Sequence, residues 1–253
     1  MRKTKIVCTI GPASEKEDVL KEMCLAGMNV ARLNFSHGTH EEQQKKVNLI
    51  KKVREELNLP IAIMLDTKGP EYRIKTFENH KETLDDGDTF IFTVEDCQGT
   101  KEKVSVNYKD LVKEIGIGDR ILVNNGLLVF EVTDITKKDV ICKVIVGGVI
   151  SDRKSMNFPN HVMKGDYLSK QDKEDILFGI ANDVDYVAAS FVSTKDDVSR
   201  LRTFMDENGG KDIDIIAKIE NRAGVDNIEE ICDIADGIMV ARGDLGVEIP
   251  FVE

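Results

Sequence analysis

A rhythm of short apolar runs, each ending in polar or glycine residues, limits the fold more than any other feature of this chain. Six recur: "TKIVCTIG" (4–11), "MNVARLNFSHG" (28–38), "IAIMLDTKG" (61–69), "VDYVAASFV" (184–192), "IDIIAKIE" (213–220) and "DGIMVARGDLG" (236–246). Near-continuous apolar runs of this length suit parallel strands buried on both faces. Helix starts lie between them. Ser14 with Glu17, Thr39 with Glu42, Ser169 with Asp172 and Thr194 with Asp197 all have capping-box spacing, and Gly27 is placed to end the first helix. Alternation of strand and helix predicts βαβ units, which leaves either an α/β barrel or an open doubly wound sheet.

The rhythm breaks once. From about Pro70 to Lys164 helical periodicity nearly vanishes, and β signals such as "DTFIFTV", "ILVNNGLLVFEV" and "DVICKVIVGG" replace it. Asn125-Gly126 between two apolar runs predicts a type I′ hairpin. An insertion of about 95 residues is too long for a loop and large enough to fold by itself. The expected division is therefore 1–69 (strands one to three), an inserted all-β module at 70–164, and 165–253 (strands four to six).

Charge and cysteine usage narrow the function. A net charge of −11 leaves no basic excess to replace phosphate counterions, which argues against a nucleic-acid partner. An anionic substrate would have to be drawn by a few local cations against a repulsive background. No segment approaches the ~18–20 apolar residues of a membrane span, and "MRKTKIVCTIG" lacks the apolar region of a signal peptide. Five scattered cysteines without a CxxC pair suit a reducing compartment, with cytoplasm as the expectation.

In a (β/α)8 barrel the chemistry gathers at the carboxyl ends of the strands. The polar ends here are, in chain order, Arg32, Asn34, Ser36 and His37; Asp66, Thr67 and Lys68; Ser190; Lys218 and Glu220; Arg242 and Asp244. Strand period two puts Lys218 and Glu220 on one face, and Arg32, Asn34 and Ser36 on one face. Glu220 and Asp244, from neighbouring strand ends, could hold one hard divalent ion together with water and substrate oxygens, as Mg²⁺ is usually bound. Lys218 would then be a compact charge for a transferring phosphoryl group or an enolate. Asn34, Ser36, Asp66 and Thr67 supply oxygens suited to a second, weakly held cation. Plainer readings exist for each alone: Lys218–Glu220 as a surface ion pair, Asp244 as a cap or turn residue, His37 as a turn residue beside Gly38. His40, His80 and His161 show no ligand spacing.

At these residues the sequence resembles a known family. "MNVARLNFSHG", "LDTKGPEYR", "AKIENRAGVDN" and "DGIMVARGDLGVEIP" look like the signature segments of pyruvate kinase, in the family's order and spacing, and "SDRKSMNFP" and "LSKQDKEDILFGI" resemble its return into the barrel. The resemblance covers essentially the whole chain. It implies a (β/α)8 TIM-type barrel, here truncated after about six strands, with the β insert as a lid. It implies phosphoryl transfer from phosphoenolpyruvate to ADP, giving pyruvate and ATP, with Mg²⁺ (or Mn²⁺) and K⁺, and a homotetramer at full length. Carried over by position, Lys218 matches the lysine that stabilises the transferring group, and Glu220 and Asp244 match the divalent-metal ligands. Arg32, Lys218, Asp244 and the Gly243 backbone match substrate contacts. Asn34, Ser36, Asp66 and Thr67 match the K⁺ ligands; Asn34, Arg73 and Lys154 match the nucleotide side; Glu71 matches the form associated with K⁺ dependence.

Three departures stand out. Tyr72 occupies a usually aliphatic position, Ser155 replaces the usual glycine after Lys154, and the chain stops at Glu253, after the sixth strand. A barrel needs eight strands to close, so the expectation is a fragment of a longer kinase with little turnover by itself. Two other function classes share these residues: a metal-dependent lyase or aldolase that holds an enolate without any nucleotide, and a non-catalytic module that binds phosphoenolpyruvate and metal.

Overall fold

A computed structural model describes residues 3–159, 161 and 165–249. The expected end of the insert at Lys164 and the stop at Glu253 lie outside the described residues. The first elements are β1 (Val7–Thr9), α1 (Glu17–Ala26), β2 (Val30–Asn34), α2 (His40–Leu57) and β3 (Ala62–Asp66). There follow β4 (Tyr72–Arg73), β5 (Lys81–Leu84), β6 (Thr89–Thr93), β7 (Lys103–Ser105), α3 (Leu111–Glu114), β8 (Arg120–Val123), β9 (Leu128–Ile135), β10 (Asp139–Val146), β11 (Gly148–Ser151) and β12 (Ser155–Asn157). The βα alternation then resumes with α4 (Lys170–Ala181), β13 (Tyr186–Ala189), α5 (Lys195–Glu207), β14 (Asp214–Ile219), α6 (Arg222–Asp226), α7 (Ile228–Cys232), β15 (Gly237–Val240) and α8 (Arg242–Glu248).

The chain divides into two compact units: Met1–Gly69 with Tyr167–Ile219 and Asn227–Val240, and Pro70–Asp166 with Glu220–Asp226 and Ala241–Glu253. In the first, the six apolar runs form one parallel sheet in the order β1-β2-β3-β13-β14-β15. The long insertion leaves the pairing of its flanking strands intact, since Leu65 lies opposite Val187 and Asp66 opposite Ala188. Leu33, Ile63, Leu65, Val187, Ile215 and Ala217 are fully buried, as are Leu20, Val47, Val53, Ile176, Val198 and Leu201 on the helices. Burying such a side chain stabilises by roughly 1.5–3 kcal/mol, so the helices are held mainly by this apolar stripe. The outermost strands differ: Val7 on β1 and Val240 on β15 are exposed.

The expected helix starts hold at Thr39–Glu42 and Ser169–Asp172, both complete capping boxes. At α5 the Asp197 carboxylate accepts from the Thr194 N–H at 2.9 Å. Gly27 ends α1 in the left-handed region. Ser14–Glu17 does not form a box. The Ser14 hydroxyl accepts from Gly11 N–H at 3.0 Å, closing its own turn, so α1 begins later with Lys16 as an N-cap lacking a side-chain bond. Glu17 instead takes Lys21 at 2.8 Å and Lys52 at 2.6 Å, which holds its carboxyl down at about 2.

In the second unit a seven-stranded sheet runs β4-β12-β8-β9-β10-β6-β7, beside a two-stranded sheet of β5 and β11. Phe92 meets Phe90 and Phe130 edge-on, at centroid distances of 5.3 and 5.0 Å, in a fully buried centre. The insert is not purely β, because Leu111–Glu114 makes one helical turn. The Asn125-Gly126 hairpin forms as the sequence predicts: both residues have positive φ, 56° and 81°, and Leu127 N–H returns to Asn124 O. Tyr72 is accommodated edge-on between Tyr108 and Phe158. Ser155 sits in regular β12, while the left-handed residue of that turn is Arg153, at φ 57°.

Candidate active site

Register places the polar strand ends of the first unit on one face. Arg32 pairs across to Met64 and Asn34 to Asp66; Asp66 pairs to Ala188, and Ala188 to Ile216. Counting by two, Arg32, Asn34, Asp66, Ser190 and Lys218 share the face of Val30, Met64, Ala188 and Ile216. The latter four belong to one packed apolar cluster, so a polar layer rests directly on an apolar one.

In that layer the side chains meet. Lys218 is 7% exposed and Asp66 1%. The ammonium donates to Asp66 Oδ1 at 3.0 Å and to Ser190 Oγ at 2.6 Å. Arg32 brings Nε and Nη2 together on Asp66 Oδ2, each at 2.5 Å, and anchors Nη1 on Thr9 Oγ1 at 2.6 Å. Burying charges costs several kcal/mol per ion unless geometry and further hydrogen bonds offset it, and here each oxygen of the carboxylate carries donors. The surface-ion-pair reading of Lys218 fails on burial. Two cations and one anion also give this spot a local positive balance in a chain of net charge −11.

The backbone explains why Ser190 faces Asp66. Past the end of β3, Thr67 N–H donates to Ala188 O at 3.0 Å. The Ser190 N–H returns to Thr67 Oγ1 at 3.1 Å, and the Ser190 hydroxyl reaches Thr67 O at 2.7 Å. Gly69 has φ +70°, and a Cβ there would come within 2.9 Å of Ser190 Cβ, so only glycine fits. On β2, Asn34 Oδ1 accepts from Ser36 N–H at 2.9 Å, and Gln43 donates to Asn34 O and His37 O, at 3.0 and 2.9 Å. His37 is exposed in that loop.

The remaining predicted residues fall in the second unit. Glu220, just past β14, is 1% exposed. Asp244 and Gly243 are exposed in the first turn of α8, and a Cβ on Gly243 would meet nothing within 4 Å. One turn on, Glu248 accepts from Asn157 Nδ2 at 2.9 Å; burial pushes its carboxyl above the usual range despite that bond. Arg73 pairs with Glu71 and donates to Arg153 O at 2.5 Å, while Lys154 O accepts from Ile74 N–H. Arg73 lies opposite Ser155 in the β4–β12 pair, next to Lys154.

The donor chemistry fits the two cations the sequence suggests. Asn34, Ser36, Thr67 and Asp66 offer one carboxylate among neutral oxygens, as a weakly held monovalent ion prefers. No group of three or more His, Cys, Asp or Glu side chains suited to a metal occurs among the described residues. Glu220 and Asp244 are two carboxylates, the number with which Mg²⁺ is usually bound beside water and substrate oxygens.

Sequence reasoning gave no role to Ser190, Tyr167 or the second oxygen of Asp172. It also passed over His40, whose Nε2 lies 2.5 Å from buried Asp175 Oδ1 and whose ring stacks on Phe178. A hydrogen bond to a distant backbone carbonyl leaves no periodic trace; for Ser190 the signal was its place at the end of an apolar run.

A parallel βα sheet with a lysine–carboxylate–arginine cluster at the carboxyl ends of its strands defines an α/β protein whose charged side chains gather where such sheets carry their sites. The family model for the pyruvate kinase barrel domain matches residues 1–253. The chain belongs to the pyruvate kinase family. It is 48% identical over 251 residues to the pyruvate kinase of Clostridium perfringens (strain 13 / Type A), covering 99% of this chain and 53% of that protein. It is 48% identical to the pyruvate kinase of Staphylococcus haemolyticus (strain JCSC1435), covering 99% and 43%, and 47% identical to that of Bacillus licheniformis, covering 100% and 44%. The chain spans about half the length of these curated relatives. No helix among the described residues is long and apolar enough to cross a membrane.

Proposed function

We propose that this chain carries the phosphoryl-transfer site of a pyruvate kinase, which moves the phosphoryl group of phosphoenolpyruvate to ADP and releases pyruvate and ATP. In this reading the parallel sheet is six strands of a (β/α)8 barrel, and residues 70–164 are its lid. Family membership supports the reaction class, and the buried Lys218 ammonium between Asp66 and Ser190 is the observation that carries the assignment.

Each role follows from chemistry. Phosphoryl transfer is mostly positioning and charge stabilisation. Lys218, fixed by two hydrogen bonds, supplies a preorganised positive charge to oxygens that gain negative charge as the phosphoryl group leaves the enolate. Arg32, braced by Asp66 and Thr9, binds the substrate phosphate. Asp66 keeps both cations oriented. Glu220 and Asp244 would hold Mg²⁺, which when bound supplies Lewis-acid stabilisation of the enolate and phosphate oxygens. Asn34, Ser36, Asp66 and Thr67 would hold K⁺, with Glu71 marking K⁺ dependence. Arg73, Lys154 and Asn34 would serve the nucleotide, and the Gly243 backbone the substrate.

Lys218→Met in the native-length protein tests this. Phosphoenolpyruvate-dependent ATP formation should disappear, while Mn²⁺ titration followed by electron paramagnetic resonance should give an unchanged affinity. Parental turnover in the variant would sink the assignment.

A further inference from the structure

We propose that Tyr167 and Asp172, on the segment that returns from the insert, are positioning residues that set Lys218 through Ser190; this rests on the reading of Lys218 above. The shorter of the two hydrogen bonds of Lys218 described above, 2.6 Å, runs to Ser190 Oγ. The direction of the ammonium therefore depends on where Ser190 is held.

The returning segment holds Ser190 in two ways. Tyr167 is buried, and its hydroxyl donates to Ser190 O at 2.9 Å. Asp172 acts through Gly69. Its Oδ1 accepts from Gly69 N–H at 2.9 Å, and Gly69 packs so closely on Ser190 that a Cβ would come within 2.9 Å of Ser190 Cβ and 3.0 Å of Ser190 O. Phe191, next along, has φ 56°, so the strand turns sharply just past the clamped residue.

Helix capping alone does not account for Asp172. The capping box with Ser169 uses Oδ2, which takes Ser169 Oγ–H at 2.6 Å and Ser169 N–H at 3.2 Å. The other oxygen reaches a residue 103 positions away. The carboxylate is 1% exposed, a costly place for a charge unless both oxygens are engaged. Asp172 and Tyr167 thus join the two chain ends flanking the insert to the serine that holds the lysine.

The test measures lysine reactivity, which does not depend on turnover. Native-length protein is labelled with trinitrobenzenesulfonate, and Lys218 is quantified by mass spectrometry against exposed Lys143. Tyr167→Phe and Asp172→Ala should each raise Lys218 labelling roughly fivefold, the factor a lost net hydrogen bond gives. Asp172→Asn, which keeps an acceptor for Gly69, should return it toward the parental rate. Ser169→Ala removes the cap but spares the Gly69 bond, so it should leave labelling unchanged. Tyr167→Phe should also lower kcat about tenfold with KM for ADP unchanged, as misplacement of a fixed charge does. Unchanged Lys218 labelling in both Tyr167→Phe and Asp172→Ala overturns the clamp, as does Ser169→Ala raising it as much as Asp172→Ala. Raised labelling with parental turnover supports the clamp and counts against the kinase role of Lys218.

Discussion

Asp66→Asn keeps the shape of the side chain at the centre of the polar layer and removes its charge. Arg32 and Lys218 would then face an amide at 2.5 and 3.0 Å. Their environments differ, and that sets the magnitude. The Arg32 side chain is 24% exposed, so water takes over part of its solvation and its share is about 1 kcal/mol or less. The Lys218 side chain is 9% exposed, and stripping a counter-charge from a buried ion costs roughly 3–5 kcal/mol. The expected loss is about 3–6 kcal/mol, or on the order of 10–15 °C in Tm for a chain of this size. Urea unfolding with an unchanged m-value reads it directly. Lys218→Met should cost less, because Asp66 retains Arg32 and the methionine fills most of the volume. Combining the two should cost at least about 2 kcal/mol less than the sum of the singles, since no buried ammonium then lacks its carboxylate. A loss under about 1 kcal/mol for Asp66→Asn, or a double variant additive within ~0.5 kcal/mol, would refute the coupling.

Two further outcomes are expected. Burial holds the Glu248 carboxyl above the usual glutamate range, with the Asn157 bond opposing and the charge of Asp244 adding; the folded form therefore ionises at higher pH than the unfolded chain. Stability is fully present below the unfolded value and declines as pH rises through the raised folded one, so Glu248→Gln should gain on the parent at pH 7 and match it near pH 4, read from urea midpoints at both. Burial pushes the Cys142 thiol up to about 12, whereas Cys97 and Cys232 are exposed. Iodoacetamide at pH 8 should label those two in the native protein and Cys142 roughly a hundredfold more slowly; equal rates would contradict the packed centre of the second unit.

The inner parallel strands were legible because burial on both faces makes them apolar runs, as "IAIML" and "YVAA" are; β1 and β15 are apolar runs too, although Val7 and Val240 are exposed. The helix starts were legible only where no local competitor existed. Ser14 had the right spacing, but its hydroxyl found Gly11 first. The order of the seven-stranded sheet was not legible, since it rests on non-local pairings such as the two-residue β4 against β12. In the site, Lys218 and Asp66 stood out as charges inside apolar runs. Tyr167 did not, because a buried tyrosine reads as core whether or not its hydroxyl reaches Ser190. Nor did Asp175 on α4, since carboxylates on a helix face usually meet water.

Position on the sheet separates these polar residues from ordinary strand-end caps. Val30, Met64, Ala188 and Ile216 form an apolar layer, and two residues further along the same four strands come Arg32, Asp66, Ser190 and Lys218. Ala188, fully buried, lies across from Asp66 on one side and Ile216 on the other; with only a methyl group there, room remains for the Lys218 stem, two residues past Ile216, to reach across to Asp66. Selection for stability alone would favour well-packed apolar residues of similar volume over a buried charged set, which is often neutral or stabilising by about 1–4 kcal/mol. Four adjacent strands break that rule in one hydrogen-bonded set, and the Thr67, Tyr167 and Asp172 hydrogen bonds hold the break in place. Local departures from good core practice that are this well supported are what a functional site is expected to show.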